Sequence, residues 1–354
     1  MGYDWPLIKP RKNKAAHRTI GIYPLKKFIQ ENWVGILIAL LIASGAYLLG
    51  RLIPVVGGPV LGITLGILIT SVWKQPDASR KGIKFTSKYI LQMAVVLLGF
   101  DMNTASVIRV GQQSLLVICL TLSAAFLTAF FVGRLLQINK KLTTLIGVGT
   151  AICGGSAIAA ASSAINADDQ DISYSISTIF LFNVIAVFLF PVIGRLLHLS
   201  DTGFGMWAGT AINDTSSVVA AGYSFSNAAG NFATVVKLTR SLMIVPVTLA
   251  LAWITARDNQ GQKNFNFAKV FPWFVLGFLA AAILNSTGWI AAPITATLAQ
   301  MGKFLIIMAM AAIGLNTSIQ AFVKAGPRAL FLGAATWLAV MLSSLFVQLF
   351  TRIW

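Results

Sequence analysis

Two stretches of the chain combine small residues with hydroxyls in a pattern that could hold a solute: GTAICGGSAIAA over 149–160 and GTAINDTSSVVAAG over 209–222. Both open on Gly-Thr-Ala-Ile. Cys153-Gly154-Gly155-Ser156 follows in the first and Asn213-Asp214-Thr215-Ser216 in the second. A Gly-Gly-Ser step lets backbone amides approach a ligand, because no side chain stands in the way. A helix that starts there presents unpaired N–H groups and the positive end of its dipole, which is anion-receptor chemistry. Gly154, Gly155 and Ser156, with Asn213, Thr215, Ser216 and Ser217, are therefore the expected hydrogen-bonding cradle. The competing reading is that small residues merely let helices pack closely.

Charged residues in the same region point the same way. Lys237 and Arg240 lie three apart in VVKLTRSLMIVP, so both project from one face of a helix. Charge at bilayer depth costs at least ~2.5–3.5 kcal/mol per residue, so it faces a partner or a watery cavity. An ion pair with Asp214 would account for one of the two, and snorkelling to an interface for Lys237. The surplus positive charge favours an anionic solute, and the guanidinium fork of Arg240 suits an oxyanion. Asp214 would hold that pair or carry a coupling proton. On this basis, neutralising Arg240 to Gln is expected to abolish transport while leaving the fold intact.

The elements that position these residues must lie in a membrane. Apolar residues make up 57% of the 354 and charged ones 10%, with a mean hydropathy of +0.80. A soluble domain carries roughly 25% charged residues, so too little polar surface exists to cover a water-facing globule. Cys119 and Cys153 both fall in apolar stretches, and His17 and His198 lie far apart, so neither a disulfide framework nor a metal site is expected. No phosphate-loop motif occurs, and no nucleophile–base pair supports an enzyme. The expectation is no metal and no cofactor.

A span needs about 20 predominantly apolar residues. On that criterion eleven are expected: 33–50, 54–73, 84–100, 114–134, 142–164, 172–194, 203–226, 232–256, 270–287, 299–316 and 328–351. A cleaved signal peptide is not expected, because a long basic region precedes the first. With the N-terminus inside, Lys and Arg gather in the tail before residue 33, in the 74–88 gap and in later cytoplasmic loops, including Arg195. Only Arg51, Arg109 and Arg352 fall in the opposite segments, together with the Asp168, Asp169, Asp171 cluster. The excess of 27 Lys and Arg over 10 Asp and Glu is thus an orientation signal, not a nucleic-acid footprint. The expected topology is N-in, C-out.

The chain also matches itself. At a constant shift of 215, Lys88 meets Lys303, Met93-Ala94 meets Met308-Ala309, Gly99 meets Gly314, and Gly111 meets Gly326. The shift pairs spans 2–4 with spans 9–11 in opposite orientation, the inverted repeat of secondary transporters. A basic tail (1–32) then precedes a single transmembrane domain (33–354). That domain comprises repeat A (about 55–136), a central broken-helix region (about 141–256) and repeat B (about 270–351). Lys88 and Lys303 read as snorkelling residues or gate lysines. Trp33, Trp73 and Trp289 read as interfacial anchors.

The two glycine-rich motifs, with VVKLTR (235–240) and MAMAAIGLNTS (308–318), resemble the signature stretches of the YeiH-type family of bacterial multipass inner-membrane proteins. The resemblance runs from about residue 33 onward. The family is named for sulfate export, so the resemblance implies efflux of sulfate or an organosulfonate. The expected function is secondary active export of a small oxyanion by alternating access. Its partners would be an anionic solute, the lipid bilayer, an H⁺ or Na⁺ coupling ion, and a second copy of the chain. A Na⁺ or H⁺ antiporter using Asp214 is the rival reading, and a non-transporting assembly subunit the rival of another class.

Overall fold

The computed structural model describes residues 25–52, 57–73, 75–258, 271–317 and 326–354. Of the expected cytoplasmic cations, most of the basic tail lies outside the described residues, as do Lys74, Lys263, Lys269 and Lys324; His17 lies outside them too. Every element among the described residues is helical. In chain order they are α1 (Leu25–Leu52), α2 (Gly58–Val72), α3 (Asp77–Asp101), α4 (Thr104–Leu135), α5 (Lys140–Ala151), α6 (Gly155–Ala164) and α7 (Asp169–Leu196). There follow α8 (Asp201–Ala211), α9 (Thr215–Phe225), α10 (Asn227–Ser241), α11 (Ile244–Asp258), α12 (Trp273–Ser286), α13 (Ala292–Asn316) and α14 (Pro327–Thr351). Seven segments among the described residues are long and apolar enough to cross a membrane: α1, α3, α4, α7, α10 running into α11, α13 and α14. The apolar helices α2 and α12 are shorter.

The outer surface is apolar in the way a bilayer requires. Val72, Leu135, Phe131 and Phe350 are exposed, whereas Ser114, Thr121, Thr210 and Ser344 are buried. Hydroxyls inside bond back to their own helices, as Thr121 does to the Val117 carbonyl at 2.8 Å. Trp33, Trp73 and Trp289 are exposed near helix ends, as belt anchors are. Trp207 and Trp337 are instead buried, and their indole N–H groups donate to the Met341 and Ala211 carbonyls.

Small residues fix how closely helices cross. A Cβ added at Gly66 would stand 2.4 Å from the Ala311 carbonyl oxygen, and one at Gly314 would stand 2.4 Å from that of Ile63. The obstacle is backbone and cannot yield. Gly66→Leu is expected to lower the thermal midpoint by several degrees, since overpacking costs about 1–3 kcal/mol. Gly45→Leu, where an added Cβ meets nothing within 4 Å, should leave it unchanged. Equal midpoints for the two variants in a detergent thermal melt would contradict this α2–α13 packing.

The segments 142–164 and 203–226 do not cross. Each is a hairpin of two half-helices that doubles back to the side it came from. At the base of the first, the Asn139 side-chain amide donates to Asp171 at 2.9 Å, and Lys141 donates to the Asn166 carbonyl at 2.7 Å. At the base of the second, the Ser226 hydroxyl donates to Asp201 at 2.6 Å. The half-helices have 12, 10, 11 and 11 residues. At 1.5 Å per residue each reaches only about 15–18 Å, half of a hydrocarbon core of about 30 Å. Hydropathy over the whole stretch is enough for a span; the reversal is made by the break in its middle.

Helix α7, 28 residues and so about 42 Å long, joins the two bases at its opposite ends. The hairpins therefore approach each other along α7, and their tips meet at its midpoint. Two placements change as a result. Asp168 and Asp171 lie on the same side as Asn139 and Lys141, rather than across the membrane from them. Arg195 lies at the other end, donating to the Ser224 carbonyl at 2.9 Å, where Ser200 also meets the Trp354 carbonyl.

Candidate functional site

The two tips are built differently. Helix α5 ends at Ala151, and the chain turns through Ile152, Cys153 and Gly154, whose φ of 67° and ψ of −129° suit glycine alone. Helix α6 then starts with no side-chain cap. Its first N–H groups, at Gly155 and Ser156, have no carbonyl before them in the helix. An added Cβ at Gly155 would meet nothing within 4 Å, so open space lies beside that N-terminus. The Ser156 hydroxyl is 2.9 Å from the Cys153 thiol and 3.1 Å from the Cys153 carbonyl oxygen.

The second tip leaves α8 in extended conformation at Ile212 and starts α9 from Asp214. The Asp214 carboxylate caps its own helix, accepting from the Ser216 N–H at 3.0 Å and from the Ser216 hydroxyl. The Asp214 N–H donates to the Asn183 side-chain oxygen at 3.2 Å, which pins this tip to the middle of α7. Asn183 had a sequence signal that went unused: it is the one amide side chain in the apolar run 172–194. Asn213 is fully buried, and neither atom of its amide has a partner among the described residues.

Lys237 and Arg240 sit behind the tips and are fully buried. The Lys237 ammonium donates to the carbonyls of Ile152 at 2.7 Å and Ile212 at 3.0 Å. Arg240 donates through Nε to the Ala151 carbonyl at 2.7 Å, through Nη1 to that of Ile212 at 3.0 Å, and through Nη2 to that of Thr150. The last carbonyls of a helix have no partner further along and carry the negative end of its dipole. The two cations thus cap the C-termini of α5 and α8 together. Neither lines the two cavities beside the tips, and neither forms an ion pair with Asp214 among the described residues. The sequence placed them as countercharge to the solute; the structure spends their donors on carbonyls instead.

That division leaves the positive end of α6 free, whereas that of α9 is capped by Asp214. A cavity of about 380 Å³ is lined by Gly155, Ser156, Asp214, Thr215 and Ser216 from the tips, with Asn183 behind. It joins a wider vestibule of about 1000 Å³ through shared residues Ser156, Thr215, Lys88 and Gln92. The vestibule also reaches Asn166, Phe271 and Pro272, so it opens on the side of the first hairpin's base. Of the expected cradle, Gly155, Ser156, Thr215 and Ser216 line the cavity. Gly154 shapes the turn, and Asn213 and Ser217 are buried behind it. Lys303 lies elsewhere, paired with Asp101 at 3.0 Å.

Comparison with known proteins covers nearly the whole chain. The model of a family described as Conserved hypothetical protein 698 matches residues 34–333. A UPF0324 membrane protein of Streptococcus agalactiae serotype V is 43% identical over 334 residues, 92% of this chain and 99% of that protein. One from Streptococcus pyogenes serotype M6 is 46% identical over 332 residues, covering 90% and 97% respectively. Another, from Clostridium tetani, is 42% identical over 338 residues, covering 91% and 98%.

Proposed function

This chain belongs to the UPF0324 family of membrane proteins, the YeiH-type family that its motifs resemble, and from that premise we propose that it is a secondary transporter exporting a small oxyanion of the sulfate or organosulfonate class. The observation that carries the reading is the uncapped N-terminus of α6, which meets the N-terminus of α9 across a cavity lined by the hydroxyls of Ser156, Thr215 and Ser216. The uncapped N-terminus of α6 gives an anion N–H donors near mid-membrane, while that of α9 is held by the Asp214 carboxylate. Lys237 and Arg240 support them from behind by cancelling the negative ends of α5 and α8. Asp214, the one carboxylate lining the cavity, is placed to take a coupling proton. The carbonyls of Thr150, Ala151, Ile152 and Ile212 are already held by Lys237 and Arg240, which favours the anion over a cation bound at those carbonyls.

The topology follows from the hairpins. Removing two crossings from eleven leaves nine, which preserves the N-inside, C-outside orientation and the opposite sense of the 215-residue repeat. The hairpins then insert from opposite faces, and the vestibule opens to the cytoplasm. The repeated GTAI motifs, 60 residues apart, mark their two tips.

The test is counterflow of radiolabelled sulfate in proteoliposomes, with and without a pH gradient. Exchange above empty liposomes, competed by organosulfonates, is the expected result. Well-folded protein that exchanges neither sulfate nor sulfonates would overturn the oxyanion assignment. Gradient-dependent uptake lost in Asp214→Asn would identify the proton carrier.

A further inference from the structure

The internal repeat relates two lysines that the fold treats differently. At the 215-residue shift Lys88 corresponds to Lys303, and Asp101 to Asn316. Lys303 is neutralised: it pairs with Asp101 at 3.0 Å and lies over the Tyr223 ring at 5.6 Å. Asp101 is held further by the Asn231 amide at 3.1 Å, and Tyr223 donates to Asn231 at 2.5 Å. This network ties α3 and α13 to the second hairpin on the side away from the vestibule.

At the related place on the vestibule side, the carboxylate is missing. Asn316 stands where the repeat has Asp101, and its amide donates to Ser87 at 3.2 Å. Lys88 is exposed, lies over the Tyr89 ring at 5.1 Å and forms no ion pair among the described residues. Among the described residues it is the one cation lining either cavity. The backbone is also distinct here. Residues Thr86–Ile90 form a single wide π turn, whereas Lys303 lies in regular α-helix. Such turns insert a residue into a helix and re-aim side chains, and they recur at functional sites.

We propose that Lys88 is the anion-selecting residue of the inner vestibule, a charge on the solute's way to the tips, and that Asn316 leaves it without a carboxylate partner. This rests on the oxyanion reading and adds to it. The closed side carries a lysine paired with aspartate; the open side carries the same lysine with only the Tyr89 ring beside it and no carboxylate among the described residues. A dianion is drawn in and a cation turned away before either reaches Ser156. Charge in a low-dielectric funnel raises the local concentration of its counterion.

Cys153 lines the same vestibule and reports on it without any transport. In a Cys119→Ser background, in vesicles with the cytoplasmic face outward, its thiol would be modified by sulfonatoethyl or trimethylammonioethyl methanethiosulfonate. The thiolate attacks the sulfenyl sulfur, a mixed disulfide forms, and methanesulfinate leaves. Lys88→Gln is expected to lower the ratio of anionic to cationic reagent rates about three- to tenfold. Asn316→Asp should lower it as well, and Lys88→Arg should keep it. An unchanged ratio in well-folded Lys88→Gln overturns the proposal, as does a wild-type thiol that neither reagent reaches. A charge-selective thiol in a protein that moves no sulfate would retain Lys88 and overturn the sulfate reading alone.

Discussion

Arg240→Gln is expected to abolish sulfate exchange and also to lower the thermal midpoint well beyond any surface substitution. Arg240 supplies one donor to each of three carbonyls, those of Thr150, Ala151 and Ile212. The Ile212 carbonyl keeps Lys237, but Thr150 and Ala151 lie in the last turn of α5, where no later helical N–H can replace the guanidinium. A buried polar group left without a partner costs about 1–3 kcal/mol, so the pair would cost about 2–6 kcal/mol. A glutamine amide has two donors on a shorter stem and cannot span both helix ends. Arg240→Lys restores the charge but not the fork, and should recover part of the stability and little of the exchange. Thermal unfolding in detergent beside counterflow in liposomes checks both. A wild-type midpoint in Arg240→Gln would show that the carbonyls do not need the guanidinium. Spacing alone suggested a variant that folds and fails only in transport; the hydrogen bonds replace that with a joint loss.

The second large effect separates two adjacent glycines. Gly155→Leu should leave the midpoint within a degree or two of wild type while eliminating exchange. Gly155 is the first residue of α6, and an added Cβ there meets no atom within 4 Å. The new side chain would fill the space in front of the α6 N-terminus, where the anion would sit. Gly154→Ala should do the reverse. Its nearest neighbour would be an ordinary 3.5 Å away, but its φ of 67° with ψ of −129° is closed to a residue with a Cβ. Holding that conformation costs about 1–3 kcal/mol, read as a lower midpoint. Normal sulfate exchange by a well-folded Gly155→Leu protein would mean that the solute does not use this cavity.

Much of this was legible in the residues. The repeated GTAI segments located both tips, and the Lys237–Arg240 spacing put both cations on one helix face, where they are found. The direction of the chain through Gly154 and Ile212 was not legible. Hydropathy measures how much apolar chain is present, and 142–164 has enough to cross; a reversal is one residue's dihedral angles and leaves no periodic trace. The partners of the cations were hidden for a related reason. Solute and Asp214 were the anionic groups that sequence can show, whereas helix-end carbonyls exist only once the breaks are known. The Asp101–Lys303 pair was within reach, since the 215-residue register aligns Lys88 with Lys303 and Asp101 with Asn316.

The shared capping by Lys237 and Arg240 has a mechanical consequence. One short stretch of α10 fastens two hairpins that arrive from opposite ends of α7. It acts as a rivet, and drawing the tips apart would strip donors from carbonyls that no water reaches. In the proposed transport cycle the crossing would then move as one part, carrying the solute seat inside it. The seams that such a cycle would use lie around it, where Asn231 meets Asp101 and Tyr223 meets Lys303 through a few contacts at the rim.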